Sequence, residues 1–388
     1  MIKYTTLIIC LIFMTISCKK EGINQRKQTA ENIDPFLDTL RFNQLQAIGS
    51  HNSYRRKTDP DVFKFVSLLS GILPDDLNPK AWDYDQISLV EQLKLGLRSL
   101  ELDVYYDPKG GLYFQRKGNA LVGKSVNSGI NELMKPGMKM MHIPDFDYNT
   151  WHYTFKDALQ TIKQWSAENP LHLPIILLVE FKEFGVGNVL PLFTKVLPFT
   201  DNAVNDVDQE IIDVFGKDNP QLFKPDDLRK NYPDLRTAIQ TEGWPKIKDM
   251  RGKILFVFYP TDKYTKNHPN LEGRMMFQFS PLGSPNGAVM KIDDSEDVLA
   301  IQEAVKSGAI VRTRADSDTE EARTGNTTTR ENAFQSGAQI ISTDYYIPDP
   351  RAGQEGWTDY KVIFQTKNYA RVNVINAPEA IKGEKIVE

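Results

Sequence analysis

Two histidines, His51 and His142, and three carboxylates, Glu101, Asp103 and Glu180, stand at or near the ends of apolar runs in this chain. Imidazole carries protons near neutral pH, and clustered carboxylates are hard oxygen ligands for a divalent cation. Together they suit metal-assisted phosphoryl transfer, which needs a proton carrier and a positive charge to hold the phosphate. Each motif alone also has a plain reading. The pair His51-Asn52 fits an ordinary turn, because Asn tolerates left-handed backbone, and Glu101-Leu-Asp103 fits the outer face of an edge strand. The weight lies in their succession.

Each group is delivered by a strand-like segment. Leu45-Gln-Ala-Ile-Gly-Ser brings His51 and Asn52 onto a loop. In Leu97-Arg-Ser-Leu-Glu101-Leu-Asp103 the carboxylates are two residues apart and share one face. Gly137-Met-Lys-Met-Met leads to His142, and Pro174-Ile-Ile-Leu-Leu-Val leads to Glu180-Phe-Lys182. Runs apolar on both faces until their last residues typify parallel strands covered by helices. Further on, Arg312, Arg314 and Asp316 alternate onto one face, and Asp344 follows another apolar run. Such rows also form structural ion pairs, so a substrate-binding and a structural role stay open for Arg312 and Asp316. The same choice, phosphate contact or ion pair with Glu180, stays open for Lys182.

Eight segments read as strands: Leu45–Ser50, Arg98–Tyr105, Met138–His142, Ile175–Phe181, Ile254–Tyr259, Met275–Phe279, Ile310–Arg314 and Gln339–Thr343. Helical spacing separates several of them, as in Leu89, Leu93 and Leu97, in Phe155, Leu159, Ile162 and Trp165, and in Val298, Ile301 and Val305. Strands alternating with helices predict an α/β fold, a (β/α)8 TIM barrel, whose chemistry sits at the C-terminal ends of its strands. The expected unit is a single domain with two long insertions, Arg55 to Trp82 and Glu183 to Met250. Tyr360 to Phe364 and Ala370 to Val374 read as a strand pair sealing the barrel.

The start of the chain reads as an export signal: Lys3, an apolar run from Leu7 to Met14, then Thr15-Ile-Ser-Cys18 before charged residues. Eight apolar residues do not span a bilayer. The pattern resembles a bacterial lipoprotein signal. It implies a signal peptide over residues 1–17, lipidation at Cys18, a flexible tether over 18–39, the barrel over 40–376 and a C-terminal tail over 377–388. The expected location is the bacterial cell envelope, with the protein held at a membrane by its lipid anchor. The two cysteines are Cys10, inside the signal, and Cys18. That leaves no thiol for a disulfide, a thiolate zinc site or a cysteine nucleophile. A formal charge of −4, without a basic stripe, argues against a nucleic-acid partner.

The ordered set His51-Asn52-Ser-Tyr, Glu101-Leu-Asp103, His142-Ile-Pro-Asp145 and Val179-Glu180-Phe-Lys182, closing with Val311-Arg-Thr-Arg-Ala-Asp316 and Ser342-Thr-Asp344, resembles the calcium-dependent bacterial phosphatidylinositol-specific phospholipase C family, part of the PLC-like phosphodiesterase superfamily. The resemblance implies a distorted TIM barrel. It implies Asn52, Glu101, Asp103 and Glu180 as ligands of one Ca2+ ion and His51 and His142 as catalytic residues; Lys182, Arg312 and Arg314 are the candidates to bind substrate. The implied reaction cleaves an inositol phospholipid to diacylglycerol and cyclic inositol phosphate, the ring 2-hydroxyl attacking phosphorus. His142 is the candidate general acid. His51 stabilises the transition state or acts as base, a metal-bound carboxylate being the other candidate base. An all-oxygen ligand set also admits Mg2+. Two other readings use the same residues: a glycerophosphodiester phosphodiesterase, in which the first histidine is typically followed by Arg-Gly rather than Asn-Ser-Tyr, and a lipid-anchored binding protein without turnover.

Overall fold

The computed structural model describes residues 36–71, 78–260 and 262–386. The expected signal peptide, Cys18 and most of the tether lie outside these residues. Eight parallel strands form the barrel: β1 (Leu45–Ser50), β2 (Ser99–Val104), β3 (Ile175–Phe181), β4 (Ile254–Phe258), β5 (Met276–Gln278), β6 (Val289–Lys291), β7 (Ile310–Arg314) and β8 (Ile340–Thr343). Their order is β5-β4-β3-β2-β1-β8-β7-β6. One isolated parallel bridge, Phe279 to Val289, brings the two ends together. A ninth strand, β9 (Ala370–Val372), pairs antiparallel with the first half of β1.

The apolar runs form strands because both of their faces are covered. Ile175 to Val179 are all buried in β3, as is every residue of β4. Helix α1 (Pro60–Leu68) follows β1, and α2 (Leu89–Leu95) precedes β2. The start of α2 is set by a capping box between Ser88 and Glu91, and its end by Gly96 at φ +105°, a backbone angle that costs glycine nothing. Helix α3 (Phe155–Glu168) buries Phe155, Ala158, Leu159, Ile162 and Trp165, a stripe with the 3.6-residue period of a core-facing helix. Each large apolar side chain so buried contributes about 1.5–3 kcal/mol. Gly49 has a different task. A Cβ there would stand 2.5 Å from Ser99 Cβ, so only glycine lets β1 and β2 close at the level of the site.

Three expectations are corrected. Met138–His142 is not a barrel strand; only Lys139 bridges there, antiparallel to Tyr105 and to Thr154. Its methionines are apolar because Met138 and Met140 pack into the main core. The missing barrel strand is β6, whose three residues are too few to show alternation. Tyr360 to Phe364 is not a strand either. Tyr360, Val362 and Phe364 are instead buried in a cluster with Tyr345 and Tyr346. The first insertion holds α1, and the second holds α4 (Asp201–Phe215) with shorter helices. Beyond β9 the chain returns to the barrel, with Lys385 bridged to Arg371 and Ile386 buried.

Candidate active site

Parallel pairing sets Asp103 of β2 beside Glu180 of β3. Glu101 shares the Asp103 face, and one oxygen from each of Glu101, Asp103 and Glu180 falls within 4.8 Å of the others. Glu101 and Asp103 are buried, and Glu180 is partly exposed. Neither oxygen of Asp103 has a hydrogen bond, an expensive arrangement for a buried carboxylate. Burial, with Glu180 and Glu101 beside it, pushes the Asp103 carboxyl up to about 7 even though Lys182 opposes the rise. Three carboxylates with surplus negative charge and unsatisfied oxygens fit a hard dication.

Asn52 lies in the turn that follows β1. Its φ of +45° is one that asparagine accepts more readily than most residues. The turn is pinned to β2 by Ser53, whose N–H donates to Glu101 O (2.9 Å) and whose Oγ accepts from Glu101 N (2.7 Å). Asn52 Nδ2 donates to Tyr84 Oη at 3.0 Å, which orients the amide and leaves its oxygen as the acceptor end.

Each histidine is held by a carboxylate. His51 follows β1, and its Nδ1 lies 2.7 Å from Asp344 Oδ1 at the end of β8. Its Nε2 lies 3.3 Å from Arg314 Nη1 and 3.9 Å from Glu101 Oε1. A guanidinium only donates and a carboxylate only accepts, so the Arg314 and Asp344 contacts suit an imidazole with its proton on Nδ1 and a lone pair on Nε2. Burial would raise Asp344; the His51 and Arg314 contacts overcome it and bring the carboxyl down to about 2. Asp316, behind it, accepts from the Asp344 N–H at 2.9 Å and from Thr343 Oγ1. Burial and the Asp344 charge push Asp316 up to about 7.

His142 reaches the mouth from an irregular loop rather than a strand end. Its Nδ1 lies 2.8 Å from Asp147 Oδ2. The Arg55 Nε donates to the same oxygen at 2.8 Å, and Thr58 Oγ1 donates to Oδ1 at 2.7 Å. Burial would raise Asp147, but the Arg55 charge and the His142 and Thr58 hydrogen bonds hold it below the ordinary carboxylate value. Burial lowers His142 itself, and Asp147 restores only part of the loss. The imidazole therefore favours its neutral form until an anion arrives beside it.

The remaining cations point inward. Lys182 Nζ lies 3.1 Å from Glu180 and 3.3 Å from Asp103. Arg312 Nη2 lies 3.0 Å from Glu101 Oε2, and its Nη1 pairs with Asp293. Arg314 reaches Asp344 Oδ2 at 3.0 Å as well as His51. Sequence reasoning did not single out Asp147, Arg55, Tyr84 or Asp293. Asp147 lies only five residues beyond His142, but its role depends on a tight turn in which Asp147 N donates to Ile143 O. The motif residue Asp145, at φ +70°, instead anchors that turn to Lys117 N and Thr194 N.

The fold and site define a (β/α)8 barrel with two carboxylate-held histidines beside a cation site, a class suited to phosphodiester chemistry. Residues 40–374 match the family described as phosphoinositide phospholipase C, Ca2+-dependent, and the chain belongs to that family. It is therefore a calcium-dependent phosphoinositide phospholipase C. No curated protein matches it. Among solved structures, a calcium-dependent phosphoinositol-specific phospholipase C from a Pseudomonas species is 16% identical with a TM-score of 0.50, covering 84% of this chain and 98% of that one. This likeness shows the shared barrel. A calcium-dependent phosphatidylinositol-specific phospholipase C from Streptomyces antibioticus is 15% identical with a TM-score of 0.49, covering 79% of this chain and 95% of that one.

Proposed function

We propose that the protein cleaves the glycerol–phosphate bond of a simple inositol phospholipid, releasing diacylglycerol and a cyclic inositol phosphate. The observation that carries this reading is the pair of histidine–carboxylate dyads, His51–Asp344 and His142–Asp147, in a barrel that also gathers Glu101, Asp103 and Glu180. Asn52, Glu101, Asp103 and Glu180 would hold calcium, which when bound supplies positive charge to the phosphate and acidity to a nearby hydroxyl. His51, with its Nε2 lone pair, takes the proton of the ring 2-hydroxyl as that oxygen attacks phosphorus. His142, protonated once the anionic phosphodiester lies beside it, gives its proton to the departing glycerol oxygen. Asp344 and Asp147 hold the two rings in their working orientations. An internal nucleophile avoids the entropy of recruiting a second molecule.

A lipid surface suits the site. The loop that continues from Lys182 exposes Phe184, Val189, Leu190 and Leu192. Phe193 and Val186 of that loop pack with Val62, Val66 and Trp82, and Trp82 meets His142 edge-on at 6.1 Å. The apolar rim thus borders the histidine that serves the leaving group. No helix of the described residues is long and apolar enough to cross a membrane. Attachment through lipid on Cys18, on the bacterial envelope, is the anchor we infer from the leader. Changing Leu190 and Leu192 together to Asp should lower turnover of vesicle-borne phosphatidylinositol by about tenfold. Turnover of a short-chain monomeric analogue should hold, and equal losses on both substrates would remove the rim from lipid contact.

Phosphorus NMR of the products from phosphatidylinositol and from glycerophosphoinositol, with calcium or with a chelator, tests the reaction. Cyclic inositol phosphate formed from the lipid only with calcium is the expected result. Glycerol 3-phosphate would instead indicate a glycerophosphodiester phosphodiesterase, and no product from either substrate a binding protein.

A further inference from the structure

Lys182 occupies an unusual place for a cation in a metal-dependent site. It directly follows β3, and its N–H donates to Val104 O at 3.0 Å, so the pairing of β3 with β2 continues through it. Alternation along the strand puts its side chain on the same face as Glu180. In register, Asp103 is the neighbour of Glu180. One ammonium consequently reaches both, at 3.3 Å and 3.1 Å. The group is no surface pair: the Lys182 side chain is 23% exposed, and Asp103 is fully buried. Asp103 has no hydrogen bond on either oxygen, which leaves Lys182 as its ion-pair partner.

We propose that Lys182 is a built-in counter-ion of the calcium ligands, competing with calcium for Asp103 and Glu180 and so weakening calcium affinity. The inference rests on the ligand set proposed above. Without a metal, three adjacent carboxylates repel one another, and a compact ammonium with three donors is suited to bridge two of them. Arg312 does the same for Glu101 from the β7 side. With both cations in place the three carboxylates retain one net negative charge. A dication drawing on the same oxygens meets Lys182 as a like charge at close range, in surroundings where screening is partial. The arrangement keeps the ligands assembled without metal at the cost of affinity for it.

A lysine that only contacts substrate phosphate leaves calcium affinity alone, so the two roles separate in a binding measurement without substrate. Calorimetric titration of calcium chloride into the purified protein and its Lys182→Met and Lys182→Arg variants is the test. Lys182→Met should bind calcium about tenfold more tightly than the parent, while Lys182→Arg, which keeps the charge, should not gain. Without calcium the Met variant should melt at a lower temperature and recover more on adding it. As a check that needs no variant, a crystal structure of the parent with calcium should show Nζ no longer paired to both carboxylates. Equal or weaker calcium binding by Lys182→Met overturns the counter-ion role, as does an unmoved Nζ beside bound calcium. Absence of calcium binding by parent and variant alike overturns the ligand set itself.

Discussion

Substitution of His142 by alanine should reduce diacylglycerol release by about 10³-fold while leaving calcium affinity close to that of the parent. General acid catalysis to a poor alkoxide leaving group is worth about 10²–10⁴-fold, and His142 lies outside the carboxylate cluster. The loss should be smaller on an analogue with a better leaving group, such as a nitrophenyl ester, because such a group departs without a proton. Asp147→Asn should show a weaker form of the same pattern, since the ring stays in place while its orienting charge is gone. Steady-state rates on both substrates, with calorimetric calcium titration, check this. Full activity in His142→Ala, or equal losses on the two substrates, would remove His142 from the proton transfer.

Asp103→Asn should act in opposite directions with and without calcium. An amide oxygen is a neutral ligand, and losing one charge from the cluster should weaken calcium binding by about 10²-fold, with activity falling in step at limiting calcium. In the metal-free protein the same change should stabilise. The Asp103 carboxyl is pushed up to about 7 in the folded chain, above the ordinary value of about 4 in an unfolded one. The folded state then binds the proton more tightly, so metal-free stability falls as pH rises from about 4 to about 7. Asparagine removes that slope. At pH 8 in chelator the variant should melt above the parent, by a margin on the order of 2 kcal/mol, and the margin should close near pH 4. The same linkage makes calcium binding by the parent weaken below about pH 7. A variant less stable than the parent at pH 8 in chelator would contradict the account of Asp103.

Much of this was legible before any coordinates. The bounds of β3 follow from the sequence because its apolar run is long and ends in charge, and those of β1 and β7 because a shorter apolar stretch leads into polar or charged residues. Glu101, Asp103 and Glu180 fall together because a side chain alternates faces along a strand and parallel neighbours share a direction. The rest failed for stated reasons. Met138–His142 has the composition of a strand but packs as buried loop, and three-residue β6 offers no period to detect. The carboxylate partners were harder still. Asp344 meets His51 only because β1 pairs with β8, a contact between residues 293 positions apart. Arg312, left open between substrate and structure, is engaged with Glu101 and Asp293.

The pairing of β1 has a consequence for how the enzyme comes into being. This strand carries the first histidine, yet it is flanked by β8 and braced at its lower half by β9. During synthesis it can pair early with β2, but β8 and β9 exist only once nearly the whole polypeptide has been made. A product terminated ahead of Asp344 lacks the group that sets the His51 tautomer, and one terminated ahead of Ala370 leaves the opening strand half bare. Completion of the His51–Asp344 pair and of the sheet around β1 thus falls at the end of synthesis.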